Sequence, residues 1–191
     1  MNASDYARKL RAAQADFPAR LLAECVRLAE VGVGAARRRL SGEVLRYRTG
    51  ALRRSVDGHA VAYSGGVDIR LQAGGGRDGV AYARIHEEGG TIRPTRSRFL
   101  AIPLPPAKNA RGVAKGPPRS FNLSFVPIHG GAAGLLVKPM GRGKRRSFVA
   151  YFYLARQVRI PRRPYLEPSA REVAGHVPER VGRLLRRMVG G

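Results

Sequence analysis

An apolar stripe near the N-terminus restricts the fold most. Leu21, Leu22, Cys25, Val26, Leu28, Ala29, Val33, Ala36 and Leu40 recur at helical spacing, while Arg20, Glu24, Arg27, Glu30 and Arg37 to Arg39 largely fill the other face. Ser4 or Asp5 can cap a first segment from Tyr6 to Ala15. Asp16 can cap a second, with Pro18 near its first turn, where a missing N–H does no harm. The pattern predicts one long amphipathic helix, bent near Pro18 and loosened at Gly32 and Gly34. Such a face has to be covered, either by the rest of the chain or by another subunit.

The remainder supplies strands. Ser55 to Tyr63 and Val67 to Ala73 alternate around Ser64-Gly65-Gly66, a hairpin signal. Val80 to Glu87 reads as a further strand, with Tyr82, Arg84 and His86 on one face and Ala81, Ala83 and Ile85 on the other. Gly89-Gly90 then turns the chain into a basic loop. Phe99 to Pro103 resumes an extended pattern that Pro103, Pro105 and Pro106 keep from being a central strand. Phe121 to Ile128 and Ala133 to Val137 are short strands around Gly130-Gly131. Ser147 to Ile160 is the longest strand, apolar on both faces: Phe148, Ala150, Phe152 and Leu154 on one, Val149, Tyr151 and Tyr153 on the other. The proline-stiffened run from Ile160 to Pro168 leads into a terminal helix opened by Pro168. Its stripe is Val173, Val177, Val181, Leu184, Leu185 and Met188, with a bend ahead of Pro178. The expected class is α+β: an antiparallel sheet packed by the long N-terminal helix and the C-terminal helix, with long basic loops. One domain over 1–191 is expected, with 106–146 as a basic, loop-rich insertion. Pro106 to Ser120 reads as a loop that only a partner would order, and 140–146 as a second, glycine-spaced basic loop.

Charge is distributed unevenly. The chain carries 36 Lys/Arg and 13 Asp/Glu, yet residues 89–166 hold 16 Lys/Arg and no acid. GC-rich codons favour an arginine-heavy composition but account less well for that gap, since acids are well represented in residues 1–88. A positive block of this kind suits phosphate backbones or acidic protein surfaces. Chemistry-bearing patterns are lacking. His59, His86, His129 and His176 are scattered, and the single Cys25 sits among leucines as a buried thiol would. Glu87 and Glu88 are adjacent and point apart on a strand. The glycine triplet Gly74-Gly75-Gly76 lacks the Gly-Lys-Ser/Thr ending of a phosphate loop. The expectation is therefore no enzyme, no cofactor and no metal. No apolar run reaches the length of a membrane span and the N-terminus lacks a signal segment, so no membrane partner is expected and the compartment should be a cytosol, or a particle assembled in one.

Four elements stand in one order: the long helix, YRTGALRRSV, YARIHEEGGTIRPTRSRFLAIPL, and VRIPRRPYLEPSARE before the last helix. This order resembles the tail-completion or neck proteins of long-tailed bacteriophages, also called tail-to-head joining proteins, and is related to the virion morphogenesis proteins of Mu-like phages. The family's Thr-Gly-x-Leu-x-x-Ser element is matched by Thr49, Gly50, Leu52 and Ser55. Its Tyr-Ala…Glu-x-Gly element is matched by Tyr82, Ala83, Glu87 and Gly89, and its Arg-Pro-aromatic-Leu-x-Pro element by Arg163, Pro164, Tyr165, Leu166 and Pro168. The basic middle, residues 106–146, departs from compact members.

The resemblance implies a structural virion protein at the tail top, assembled in the host cytoplasm. It would form a ring with copies of itself, expected as a hexamer. The ring would complete the tail and join it to head-closure or adaptor proteins on one side and tail terminator or tail-tube proteins on the other, with transient, sequence-independent contact to the genomic DNA. Arg93, Arg96, Arg98, Arg142, Lys144, Arg145 and Arg146 are the candidate DNA-channel or ring contacts. Phe148, Tyr151, Phe152 and Tyr153 are the candidate subunit interface. A free, sequence-independent nucleic-acid-binding protein is the alternative.

Overall fold

The N-terminal stripe becomes a single helix, α1 (Ala3–Arg38), which runs through Pro18. The computed structural model describes residues 3–45, 48–75, 82–128, 133–141 and 147–189. They form an α+β fold in two compact units, Met1–Glu87 with Arg163–Gly191, and Glu88–Arg162.

In the first unit α1 ends in a wide turn, Arg39–Glu43, followed by a one-turn helix, α2 (Ala51–Arg54). The expected hairpin is present as β1 (Asp57–Tyr63) and β2 (Gly66–Gln72), paired from Asp57↔Gln72 to Tyr63↔Gly66. A short helix, α3 (Ala83–Glu88), and the terminal helix, α4 (Leu166–Val189), complete the unit. The face that the periodicity marks is the face that is covered: Cys25, Leu28 and Ala29 are buried on α1, which packs on β1, β2 and α4, and Ala36 and, in the turn beyond it, Leu40 are buried with Leu52, Val56, Ala83 and Tyr165, whereas Val26 stays 42% exposed. A Cβ on Gly32 would lie 2.7 Å from Leu71 Cδ1 and 2.9 Å from Val173 Cγ2, so helix, strand and helix meet there with no room for a side chain. The two long helices run antiparallel, because Arg39 reaches Ser169 and Glu172 near the start of α4 while Glu24 receives Arg180 further along.

The stretch read as a strand from Val80 to Glu87 is helical where it is described, from Ala83 onward. Alternation over so few residues also fits a helix, in which Ala83 and Glu87 share a face four residues apart, and long-range partners on that face decide the matter. Gly89, with φ 73°, ends α3 in the left-handed conformation; a Cβ there would lie 2.8 Å from the Arg162 nitrogen.

The second unit holds two sheets. β3 (Gly90–Ile92) pairs with β8 (Val158–Ile160), and β4 (Leu100–Pro103), β5 (Ser124–Pro127), β6 (Ala133–Met140) and β7 (Ser147–Ala155) form an antiparallel sheet in the order β4-β7-β6-β5. Pro103 therefore lies on an edge strand, as its missing N–H demands. The long strand expected over Ser147 to Ile160 is divided: β7 stops at Ala155, Arg156-Gln157 turn the corner, and β8 joins the other sheet. Pairing also passes from Val137↔Ala150 to Leu136↔Phe152, which leaves Tyr151 unopposed as a bulge.

The Pro106 to Ser120 segment does not depend on a partner for its order. Pro105–Ala107 and Pro118–Ser120 are 3-10 turns, Lys108 bridges Ala114, and the Asn109 side-chain oxygen accepts the N–H groups of Arg111 and Val113, both at 3.0 Å. Ala107 is fully buried. Local polar capping replaces the apolar content that the composition lacks. Gly130-Gly131 and residues 142–146 lie outside the described residues.

Candidate functional site

The three short elements that carry the family resemblance converge in the first unit. Thr49 Oγ1 accepts the Ala51 N–H at 3.4 Å, Gly50 caps α2 with φ 74°, and Leu52 is buried. Ser55 donates its hydroxyl to the Leu52 carbonyl and accepts the Gly74 N–H. Arg53 and Arg54 are exposed. Leu52, Ala83 and Tyr165, one from each element, share a buried cluster with Ala36, Leu40 and Val56.

Glu87 holds the second and third elements together. Its Oε2 accepts the N–H groups of Tyr165 at 2.7 Å and Leu166 at 3.0 Å, and its Oε1 accepts that of Glu167 at 2.9 Å. The first N–H groups of a helix have no partner within it and carry partial positive charge, so a carboxylate there satisfies both needs of α4. Beside it the Arg163 N–H donates to the His86 carbonyl, and the buried Tyr165 hydroxyl donates to the Ala83 carbonyl at 3.3 Å. Ser169 donates to the Tyr165 carbonyl and accepts from Arg39, which also pairs with Glu172. Pro164 and Pro168 are half-buried, and Pro168 is the third residue of α4, not the first.

Titratable groups at this junction are shifted by burial. The Tyr165 phenol is pushed up to about 12, by burial first and then by Glu87 and Tyr82. The His86 imidazole is held below its ordinary value by burial and then by Arg163; its Nδ1 is buried and makes no hydrogen bond, while Tyr82 meets its ring edge-on at 5.8 Å. The carboxylate is occupied as a cap and the phenol as a donor, so the junction builds structure. Sequence reasoning recognised the residues but missed the cap, because donors and acceptor lie 78 to 80 residues apart.

Of the proposed cationic contacts, Arg93, Arg96 and Arg98 are exposed on the connection from β3 to β4. Arg93 Nε donates to Gln157 at 3.4 Å, and the Arg98 guanidinium lies 5.6 Å from the centre of the Phe99 ring. Arg142, Lys144, Arg145 and Arg146 lie outside the described residues. In sequence the second unit has 15 Lys/Arg against one acid, Glu88, so it can neutralise little of its charge internally.

The proposed subunit interface separates into two kinds of residue. Phe152 is 1% exposed and packs on Phe121 at 5.6 Å, so it belongs to the interior of its own unit, and Tyr151 meets the same ring at 5.4 Å. Phe148, 59% exposed, and Tyr153 remain on the surface. The bulge at Tyr151 breaks the simple two-face alternation on which the prediction rested. The strand expected over Phe121 to Ile128 is present as β5, but its edge position, which leaves Phe125 and Val126 exposed, was not read from the sequence.

A groove of about 630 Å³ opens between α1, β2 and α4 of the first unit; among the described residues, Asp68 and Glu167 are its only charged lining. Among the described residues no three His, Cys, Asp or Glu side chains gather as metal ligands, and no helix is long and apolar enough to cross a membrane. Compared with known protein families, curated proteins and solved structures, the chain matches none.

Proposed function

We propose that this chain is a structural protein of the neck of a long-tailed phage particle. In this reading it forms a ring at the tail top that joins the tail to the head-closure or adaptor proteins around the DNA channel. The observation that carries the reading is the meeting of the three family-like elements in one buried junction, with Leu52, Ala83 and Tyr165 packed together and Glu87 capping α4. Residues that match a family only by chance have no reason to share a core. The acid-poor second unit supports a place beside nucleic acid: scattered arginines hold phosphates without reading bases, which lets DNA pass.

The same cationic unit favours a second reading, a free nucleic-acid-binding protein acting as a monomer. Mass spectrometry of purified particles separates the two. The neck reading expects the protein in few copies per particle, and deletion of its gene to leave unjoined heads and tails. Normal infectious particles without it would exclude the neck role. Tight binding of duplex DNA by the isolated monomer, with affinity falling steeply as salt rises, would favour the alternative.

A further inference from the structure

Among the described residues, the N-terminal part of α1 buries none of its side chains. Glu24 contacts Arg180 and Gly32 faces Val173, so the antiparallel register brings the end of α4 opposite the stretch near Ala15. The helix continues past that point for about 12 residues, or about 18 Å. From Ser4 to Asp16 no residue is buried, and Tyr6 and Leu10 are 44% and 41% exposed. Yet this extension is amphipathic. Tyr6, Leu10, Ala13 and Phe17 fall at spacings of four, three and four, on the same face of α1 that is covered further along by Leu21 and Leu28. A helix carries such a stripe at a cost in solubility unless something covers it.

The groove beside α4 offers the complementary surface. It begins at Leu21, where the covered part of α1 starts, and its floor is Cys25, Ile69, Val173 and Val177. Among the described residues no lysine or arginine lines it, and its two charged lining residues are the acids Asp68 and Glu167. These pair with Arg70 and Arg171 at the surface, contacts that contribute little where exposed. The extension brings a net opposite charge: Lys9 borders its apolar stripe and Arg11 lies nearby, while Arg8 pairs with Asp5 and Asp16 with Arg20.

We propose that the N-terminal extension of α1 in one copy docks, through Tyr6, Leu10 and Phe17, into the groove between α1, β2 and α4 of a second copy. Donor surface and acceptor surface are different patches of one chain, so the contact is head-to-tail and repeats until it closes on itself. It supplies the subunit contact that a ring requires, and so rests on the neck reading given above.

A pair of introduced thiols makes the test direct. In a Leu10→Cys, Ala174→Cys variant of the full chain that also carries Cys25→Ala, position 174 is exposed on the α4 side of the groove and, by the antiparallel register, lies opposite the stretch near Glu30, about 30 Å along α1 from position 10 and well beyond the reach of a disulfide. A link between them can form only across two molecules. Mild oxidation with copper phenanthroline is expected to give disulfide-linked oligomers whose peptide map shows position 174 joined to position 10. The same treatment with Ala15→Cys in place of Leu10→Cys, off the stripe, is expected to give far less. Independently, Leu10→Asp, exposed and therefore compatible with folding by circular dichroism, is expected to weaken self-association at least about tenfold in sedimentation equilibrium. Links between two copies of position 10 alone would overturn the proposal, as would Leu10→Asp self-association equal to that of the unaltered chain. If either result came with the protein present in purified particles, the docking contact would fail while the neck reading stood. Absence from the particles would remove that reading by itself.

Discussion

Glu87 shows how one side chain can settle a junction. Three N–H groups, from Tyr165 and the first two residues of α4, converge on its carboxylate, so Glu87→Ala leaves them to water. A loss of about 2 kcal/mol in chemical denaturation is expected, with Glu87→Gln losing about half as much, since an amide keeps one acceptor but no charge. Tyr165 gives a second expectation with a defined sign. Its folded-state value of about 12 lies above the ordinary value of 10, so between these the folded state holds a proton that the unfolded state has released. Stability is therefore fully present below pH 10 and falls as pH rises through 12. Tyr165→Phe should lose about 1 kcal/mol at neutral pH, by orphaning the Ala83 carbonyl, and should lack that part of the alkaline decline; pH-resolved denaturation curves of the two proteins check both. His86 works the other way: the buried neutral imidazole contributes stability present above 6.5 and lost as pH falls below it. Replacing His86 by Leu should flatten the acid limb of the same curves. Residue types at these positions were legible as a motif, but their roles were not, because no local pattern announces an acceptor for a helix that starts 79 residues later.

At the level of elements, the helical periodicity of α1 and α4 was read correctly and the short alternation at α3 was misread. The stripes of α1 and α4 span many turns, and only a helix places all those side chains together. The alternation at α3 spans six residues, and there burial of Ala83 and capping by Glu87 outweigh local preference. β7 and β8 were merged because both are apolar; their separation at Arg156-Gln157 comes from pairing with different strands, β6 and β3. Packing between elements gives its own test at two glycines of the first unit. Gly175 on α4 has open space where a Cβ would go, so Gly175→Ala should stabilise by about 0.5–1 kcal/mol through helix propensity alone. Gly32→Ala meets Leu71 and Val173 at once, and overpacking of about 1–3 kcal/mol should outweigh the same propensity gain. Opposite shifts of the urea midpoint are expected for this pair of otherwise identical substitutions.

For the molecule as a whole, charge and topology divide along the same lines. The unit formed by both chain ends carries 12 of the 13 acids, whereas Glu88–Arg162 carries one. If the exposed arginines between β3 and β4 touch phosphates, replacing Arg93, Arg96 and Arg98 together by Ser should lower the slope of log affinity against log salt for duplex DNA by up to about three. Sequence preference should not change, which filter binding at several salt concentrations measures. The α+β class, the two long helices, the β1–β2 hairpin and the segregation of charge were already legible in the residue pattern, because each follows from composition or from spacing within one segment. That α3 is a helix, that Glu87 caps α4, that Phe152 is interior and that the sheet divides at Arg156-Gln157 emerged from the folded chain. Each of those depends on partners distant in the chain, whose contact energies exceed the small local preferences that a sequence pattern records.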